Sequence, residues 1–269
     1  MQTDTRRVIV FGGARGIGAT VAGHFAEGED AVTVVARSSD EVHATADRLG
    51  ATAEVADIAD ADAVTKVFAR AGTPDVVVCA AAVQGGAGAI GPLWDTDPAA
   101  FAKVVDVNLV GAYNVLREAL RAMRPAGRGS VVMFSGGGSV FPRPGFDAYG
   151  ATKTAVLRLV ESAQTALEAE GSEVRVYALA PGAVSTAMTR EVLALGDRVP
   201  SEAEAAQKIA AGEGVPPTLA AELCAFMATD EAAPLAGRLT HVKEPYRSYV
   251  ERDLGVDAGR LRRAGYPQA

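Results

Sequence analysis

Short β-branched runs alternate with longer, alanine-rich segments of helical period along most of this sequence. The runs fall at 8–11, 31–36, 52–55, 75–79, 130–135 and 173–180, with a weaker one at 238–242. They are nearly continuously apolar, as strands covered on both faces are. Between them, 16–27, 40–49, 60–70, 98–123 and 149–168 carry apolar residues at spacings of three and four, and Gly50 stands where a helix stop is expected. The alternation predicts an α/β fold: a doubly wound parallel sheet of about seven strands, with helices on both faces and ligand chemistry at the carboxyl ends of the strands. A length of 269 residues permits one domain or two. With no linker, repeat or low-complexity block, a single domain over 1–269 is the reading. Residues 186–214 break the rhythm with a polar, alanine-rich stretch that reads as a substrate lid, and 243–269 form a tail beyond the last strand.

Composition excludes several classes of function. A formal charge of -7 leaves no basic surplus to neutralise a phosphate backbone, so nucleic acid is not an expected partner. Two cysteines, Cys79 and Cys224, are too few for a disulfide framework, and the start MQTDTRRVIV lacks the apolar core of a secretory signal. A reducing cytoplasm is the expected compartment. Charges or glycines interrupt every apolar run before it reaches the length of a membrane helix, so no membrane partner is expected. His24, His43 and His241 have no ligand spacing, and no metal site is expected.

After the first run comes Phe11-Gly12-Gly13-Ala14-Arg15-Gly16-Ile17-Gly18, leading straight into a helical pattern. Glycines here permit a tight turn and close backbone approach, so that the diphosphate of a dinucleotide rests on a helix N-terminus. The second run ends in Ala36-Arg37-Ser38, with no acidic residue to hold a ribose 2'-hydroxyl. Arg15 and Arg37 instead offer guanidinium groups to a 2'-phosphate, which favours NADP(H) over NAD(H). Asp57, with Ile58 beside it, follows the third run and suits an adenine amino group. Its plainer reading is a helix cap.

Tyr149-Gly150-Ala151-Thr152-Lys153 opens a long amphipathic helix, and a spacing of four places the phenol and the amine on one face, one turn apart. An ammonium beside a tyrosine favours the phenolate, as a group that gives and takes protons requires.

With these motifs in this order, the sequence resembles the short-chain dehydrogenase/reductase family to about Val242. The glycine turn matches at Gly12, Gly16 and Gly18, the Tyr-x-x-x-Lys pair at Tyr149 and Lys153, and the helix asparagine at Asn108 within Val107-Asn108-Leu109-Val110-Gly111. The segment after the sixth strand matches at Pro181, Gly182, Val184 and Thr186. The resemblance implies a Rossmann-type oxidoreductase that interconverts a carbonyl and a secondary alcohol on a small or medium molecule, as a homodimer or homotetramer. Tyr149 would exchange a proton with the substrate oxygen, Lys153 would hold the nicotinamide ribose, and Asn108 would support a water in the relay. Pro181, Gly182, Val184 and Thr186 would lie along the nicotinamide. Dehydration or epimerisation on the same fold, and nucleotide sensing without turnover, are the rival readings.

Three positions depart from the family pattern. Phe11 replaces the threonine that opens the glycine motif, and Cys79-Ala80-Ala81-Ala82 replaces the Asn-Asn-Ala-Gly that flanks the cofactor. The substrate-orienting serine, thirteen positions before the tyrosine, is Gly136. Ser135 is the first candidate to supply the missing hydroxyl and Ser139 the second. The third possibility is that no hydroxyl serves there.

Overall fold

The structure is a computed structural model that describes residues 5–255 and 257–261. Seven strands form one all-parallel sheet in the order β3-β2-β1-β4-β5-β6-β7. They are β1 Arg7–Phe11, β2 Ala31–Ala36, β3 Thr52–Val55, β4 Val76–Cys79, β5 Arg128–Phe134, β6 Glu173–Ala180 and β7 Leu239–His241. The order reverses between β1 and β4, and the crevice above such a reversal is where open α/β sheets bind ligands.

The helices begin and end on local chemistry. Helix α1 (Gly16–Glu27) follows the glycine turn directly, whereas α2 (Ser39–Leu49) is capped by Ser38, whose hydroxyl accepts from Glu41 N, and stops at Gly50 in the left-handed region. Asp60 caps α3 (Ala61–Ala71) by accepting from Asp62 N and Ala63 N. A short α4 (Gly86–Ala89) precedes α5 (Pro98–Val105), whose cap is Asp97 and whose first residue is proline.

The segment read as one helix over 98–123 is interrupted. A π-helical turn at Asp106–Gly111 separates α5 from α6 (Ala112–Met123), and Asn108 sits inside it. Over Pro98–Ala126 the chain is, by length and mean hydropathy, able to cross a membrane, contrary to the expectation that no run reaches that length. Its apolar side, including Val104, Val107, Val115, Ala119 and Met123, is buried in the protein core, so it is a core helix.

Helix α7 (Asp147–Ala169) runs beneath β5 and β6, and α10 (Pro217–Met227) packs against α1 on the opposite face. Val10, Phe25, Val34, Leu223 and Met227 fill one side of the sheet, and Ile9, Val77, Val115, Val156 and Val176 fill the other. Alternate strand residues therefore feed two cores, which explains why the strands read as continuously apolar. The stretch 186–214 carries α8 (Ala187–Ala194) and α9 (Pro200–Lys208).

Beyond β7, the described part of the tail holds a short α11 (Tyr246–Tyr249) and then returns along the sheet edge. Leu239 N donates to Gly259 O at 2.7 Å, and Arg158 Nη2 donates to Leu261 O at 3.1 Å. The tail thus packs on its own chain as far as Leu261; residues 262–269 lie outside the described residues.

Candidate active site

A cleft of about 840 Å³ opens at the carboxyl ends of β1, β2, β4 and β5. It is lined by Gly12, Ala14, Arg15, Gly16, Ile17, Gly18, Arg37, Ser38, Asp57, Ile58, Ala80, Ala81, Ala82, Ser135, Tyr149, Lys153, Pro181 and Thr186. Asn108, Gly182 and Val184 stand outside the lining.

The glycine turn is a tight cradle. Gly12 N and Gly13 N both donate to Val35 O, at 2.8 and 3.2 Å, and Thr45 Oγ1 donates to Ala14 O at 2.7 Å. A β-carbon on Gly12 (φ +77°) would stand 2.6 Å from Ala81 N, and one on Gly18 would stand 2.1 Å from Gly12 O, so neither tolerates a side chain. The turn leaves the N-terminal amides of α1 facing the cleft, which fits a diphosphate. Phe11, in place of the family's threonine, is fully buried and stacks on Phe68 with ring centroids 5.8 Å apart. Backbone bonds to Val35 therefore brace the turn where a hydroxyl is missing.

Both arginines read as phosphate ligands line the cleft, each beside a carboxylate. Arg15 Nη1 stands 3.4 Å from Glu41 Oε1, and Arg37 Nη1 stands 3.6 Å from Asp57 Oδ2. Asp57 also accepts from Ala59 N at 3.0 Å, which closes a turn; the cap of α3 is Asp60, so the plainer reading of Asp57 as a helix cap is not what the structure has. Arg190 on α8 lines the same cleft with no side-chain hydrogen bond or ion pair among the described residues. It lies four residues beyond Thr186, whose Cγ2 would be 3.6 Å from a β-carbon on Gly16, so the two share a helical face opposite the glycine turn. Sequence reasoning missed Arg190 because no motif marks it. Its only signal was the i, i+4 spacing from Thr186.

Tyr149 and Lys153 are both buried. Lys153 Nζ donates to Phe134 O at 2.9 Å and lies 5.6 Å from the centre of the Tyr149 ring. Burial pulls Lys153 down to about 8, against the nearby Cys79 thiol, which burial pushes up to about 11. Burial raises Tyr149 above the ordinary phenol value, against the expected lowering, and the Arg143 guanidinium opposes the shift.

Arg143 lies on the loop between β5 and α7. Its Nε and Nη2 donate to Glu202 Oε2 of α9 at 2.8 and 2.6 Å, and its guanidinium carbon sits 3.8 Å over the Phe146 ring. Phe146 and Tyr149 belong to an apolar cluster with Ile90, Val192, Val199 and Ala206, so α8 and α9 form one wall beside the phenol.

Asn108 is held in the π-turn, where Oδ1 accepts from Val83 N and Nδ2 donates to Val83 O, both at 2.8 Å. Ser135 N donates to Leu179 O at 2.8 Å, and its buried Oγ has no hydrogen-bond partner. Such a hydroxyl carries a desolvation penalty unless a ligand atom meets it. Ser139 is buried outside the cleft lining, its N–H donating to Gly136 O at 3.2 Å. At Gly136 itself a β-carbon would stand 2.5 Å from Tyr149 Oη, so the position that carries a serine in the family has no room for one.

Comparison with known proteins agrees with this geometry. The short chain dehydrogenase family matches residues 6–195. A cis-4-hydroxycyclohexanecarboxylate dehydrogenase of Sinomonas cyclohexanicum is 33% identical over 249 residues, covering 90% of this chain and 96% of that protein. A 3-oxoacyl-[acyl-carrier protein] reductase from Brucella melitensis with bound NAD has a similar structure, with a TM-score of 0.74 and 25% identity over 88% of this chain and 89% of that one. An actinorhodin polyketide ketoreductase with NADPH shares the fold, with a TM-score of 0.79 at 24% identity over 90% and 97% of the two chains.

Proposed function

Because the chain belongs to the short-chain dehydrogenase/reductase family and is similar to a dehydrogenase over 90% of its length, we propose that it interconverts a carbonyl and a secondary alcohol on a small or medium organic molecule with NADP(H). The observation that carries this reading is the common wall of one cleft: Tyr149, Lys153 and the unpartnered Ser135 hydroxyl share it with a turn in which Gly12 and Gly18 have no room for side chains.

In this reading the α1 amides hold the diphosphate, Arg15, Arg37 and Ser38 meet the 2'-phosphate, and Ala80 to Ala82 with Pro181 and Thr186 flank the nicotinamide half. Gly182 and Val184 shape that segment from behind. When bound, the cofactor supplies or accepts a hydride at the substrate carbon. Tyr149 gives its proton to the carbonyl oxygen in reduction and recovers it in oxidation. Ser135 donates to the same oxygen and fixes its position. Lys153 contacts the ribose, and Asn108, pinned to Val83, keeps the π-turn open for a relay water.

Replacing Tyr149 with phenylalanine tests the reading: NADPH binding by fluorescence titration should persist while turnover in a screen of ketones falls by about 10²–10⁴-fold. Near-normal turnover would refute the proton-transfer role, and conversion without net NADPH consumption would assign another reaction to the fold. Free, buried Cys79 and Cys224 suit a reducing cytoplasm, and half-exposed Val110 and Tyr113 on the helix at 98–123 suit a homodimer or homotetramer.

A further inference from the structure

The loop from Ser135 to Tyr149 brings a second cation close to the phenol. Two adjacent glycines lie between the groups: a β-carbon on Gly136 would be 2.5 Å from Tyr149 Oη, and one on Gly137 would be 3.5 Å from Arg143 Cδ and 3.6 Å from its Nη1. The loop also runs close to the start of α7, because a β-carbon on Gly138 would be 3.1 Å from Gly150 Cα, one residue past the tyrosine. The Arg143 side chain is only 19% exposed, so its charge is poorly screened by water. It is clamped between the Phe146 ring and a single oxygen of Glu202, leaving Nη1 without a hydrogen bond among the described residues.

We propose that Arg143 is a positioning residue for proton transfer at Tyr149, and that Glu202 on the lid helix α9 sets how much of its charge the phenol feels. Lid and proton-transfer group are then coupled through one ion pair. When the lid holds Glu202 against Arg143, part of the positive charge is cancelled; when substrate entry moves α9, more of it acts on the phenol. The inference rests on the proton-transfer role given to Tyr149 above.

Lys153, on the same helix as the phenol, is turned to Phe134 O with Cys79 beside it, and Asp147 lies two residues before Tyr149 on α7. Ile90, Phe146, Val192, Val199 and Ala206 form the apolar wall against the ring. Arg143 is the cation that opposes the effect of burial on Tyr149.

Opposite signs at the two ends of the ion pair separate this role from a merely structural one. The measurement is the titration midpoint of Tyr149, read from near-ultraviolet tyrosinate absorbance as each protein minus its Tyr149→Phe counterpart. Arg143→Gln should raise the midpoint by about half a pH unit to one unit, Arg143→Lys should restore most of it, and Glu202→Gln should lower it. The basic limb of kcat/KM against pH, measured with NADPH and a ketone from the screen, should move in the same directions. If Arg143→Gln and Glu202→Gln move the midpoint in the same direction, or neither moves it, the pair only fastens the lid and the proposal falls. The absorbance reading needs no turnover, so opposite shifts in a protein that reduces no ketone would overturn the assigned reaction and leave the coupling standing.

Discussion

The Tyr149 hydroxyl occupies the space that a side chain on Gly136 would need, 2.5 Å from the position of its β-carbon. The family's serine is therefore excluded by the phenol, and glycine is the residue that lets Tyr149 reach its place in the cleft. Putting serine back should harm the enzyme. Gly136→Ser and Gly136→Ala should each lower kcat by at least about tenfold and destabilise the fold by about 1–3 kcal/mol, the usual range for overpacking. A rise in kcat for Gly136→Ser in steady-state assays would sink this account.

Lys153 couples function to stability. Its folded pKa of about 8 lies below the ordinary 10.5, so between those values the unfolded chain binds more protons and stability rises with pH. Below about 8 the folded protein carries the whole cost of a buried ammonium. Lys153→Met should therefore be more stable than the wild type near pH 7, by about 3 kcal/mol from a shift of about 2.5 units. The gap should close towards pH 10.5 as turnover is lost throughout. Cys79, raised to about 11, acts with the opposite sign above its ordinary 9.0, so the difference between variant and wild type in denaturant titrations is the quantity to follow.

Cofactor selection divides between two arginines. Arg37→Gln should weaken NADPH by about tenfold and leave NADH almost unchanged, since the lost hydrogen bonds are to the 2'-phosphate alone. Arg190→Gln should weaken both by a similar factor, because it faces the glycine turn where the diphosphate common to both cofactors rests. The unliganded melting temperature should not change with Arg190→Gln, as that side chain has no partner among the described residues to lose. Calorimetric titration of each variant with both cofactors decides between the two sites, and equal weakening of NADPH and NADH by Arg37→Gln would remove the reason for preferring NADP.

Exposed Val110 and Tyr113 flank the junction of the π-turn and α6. Introducing aspartate at both should shift the protein to a monomer in light scattering while the fold persists, since neither side chain is in the core. A wild-type monomer would remove the proposed assembly.

How far the sequence speaks for this structure depends on the element. Helix α1 runs from Gly16 to Glu27 as its spacing predicts, because the glycine turn and the apolar period agree. Gly50 stops α2 in the left-handed conformation for the same reason. The π-turn around Asn108 was hidden, since one extra residue in a helical turn leaves the run of apolar spacings almost intact. Arg143 was hidden too, because its pairing with Glu202 joins residues 59 positions apart and no local pattern records it. Gly136 was visible as a departure, but its cause was not, because only the folded position of Tyr149 reveals what the missing side chain makes room for.

The backbone bond from Leu239 to Gly259 has a consequence for solubility. β7 ends the sheet on one side, and a bare outer strand offers its amides and carbonyls to any other chain that can pair with them. The returning tail takes up one amide of that edge, at Leu239, and at the far end the Arg70 guanidinium on Glu54 places paired charges along β3. A chain cut after Val242 would keep every residue of the cleft but lose both the bond to β7 and the packing of Tyr246, Tyr249, Val250 and Leu254 on the core, so edge-to-edge association and loss of stability would come together.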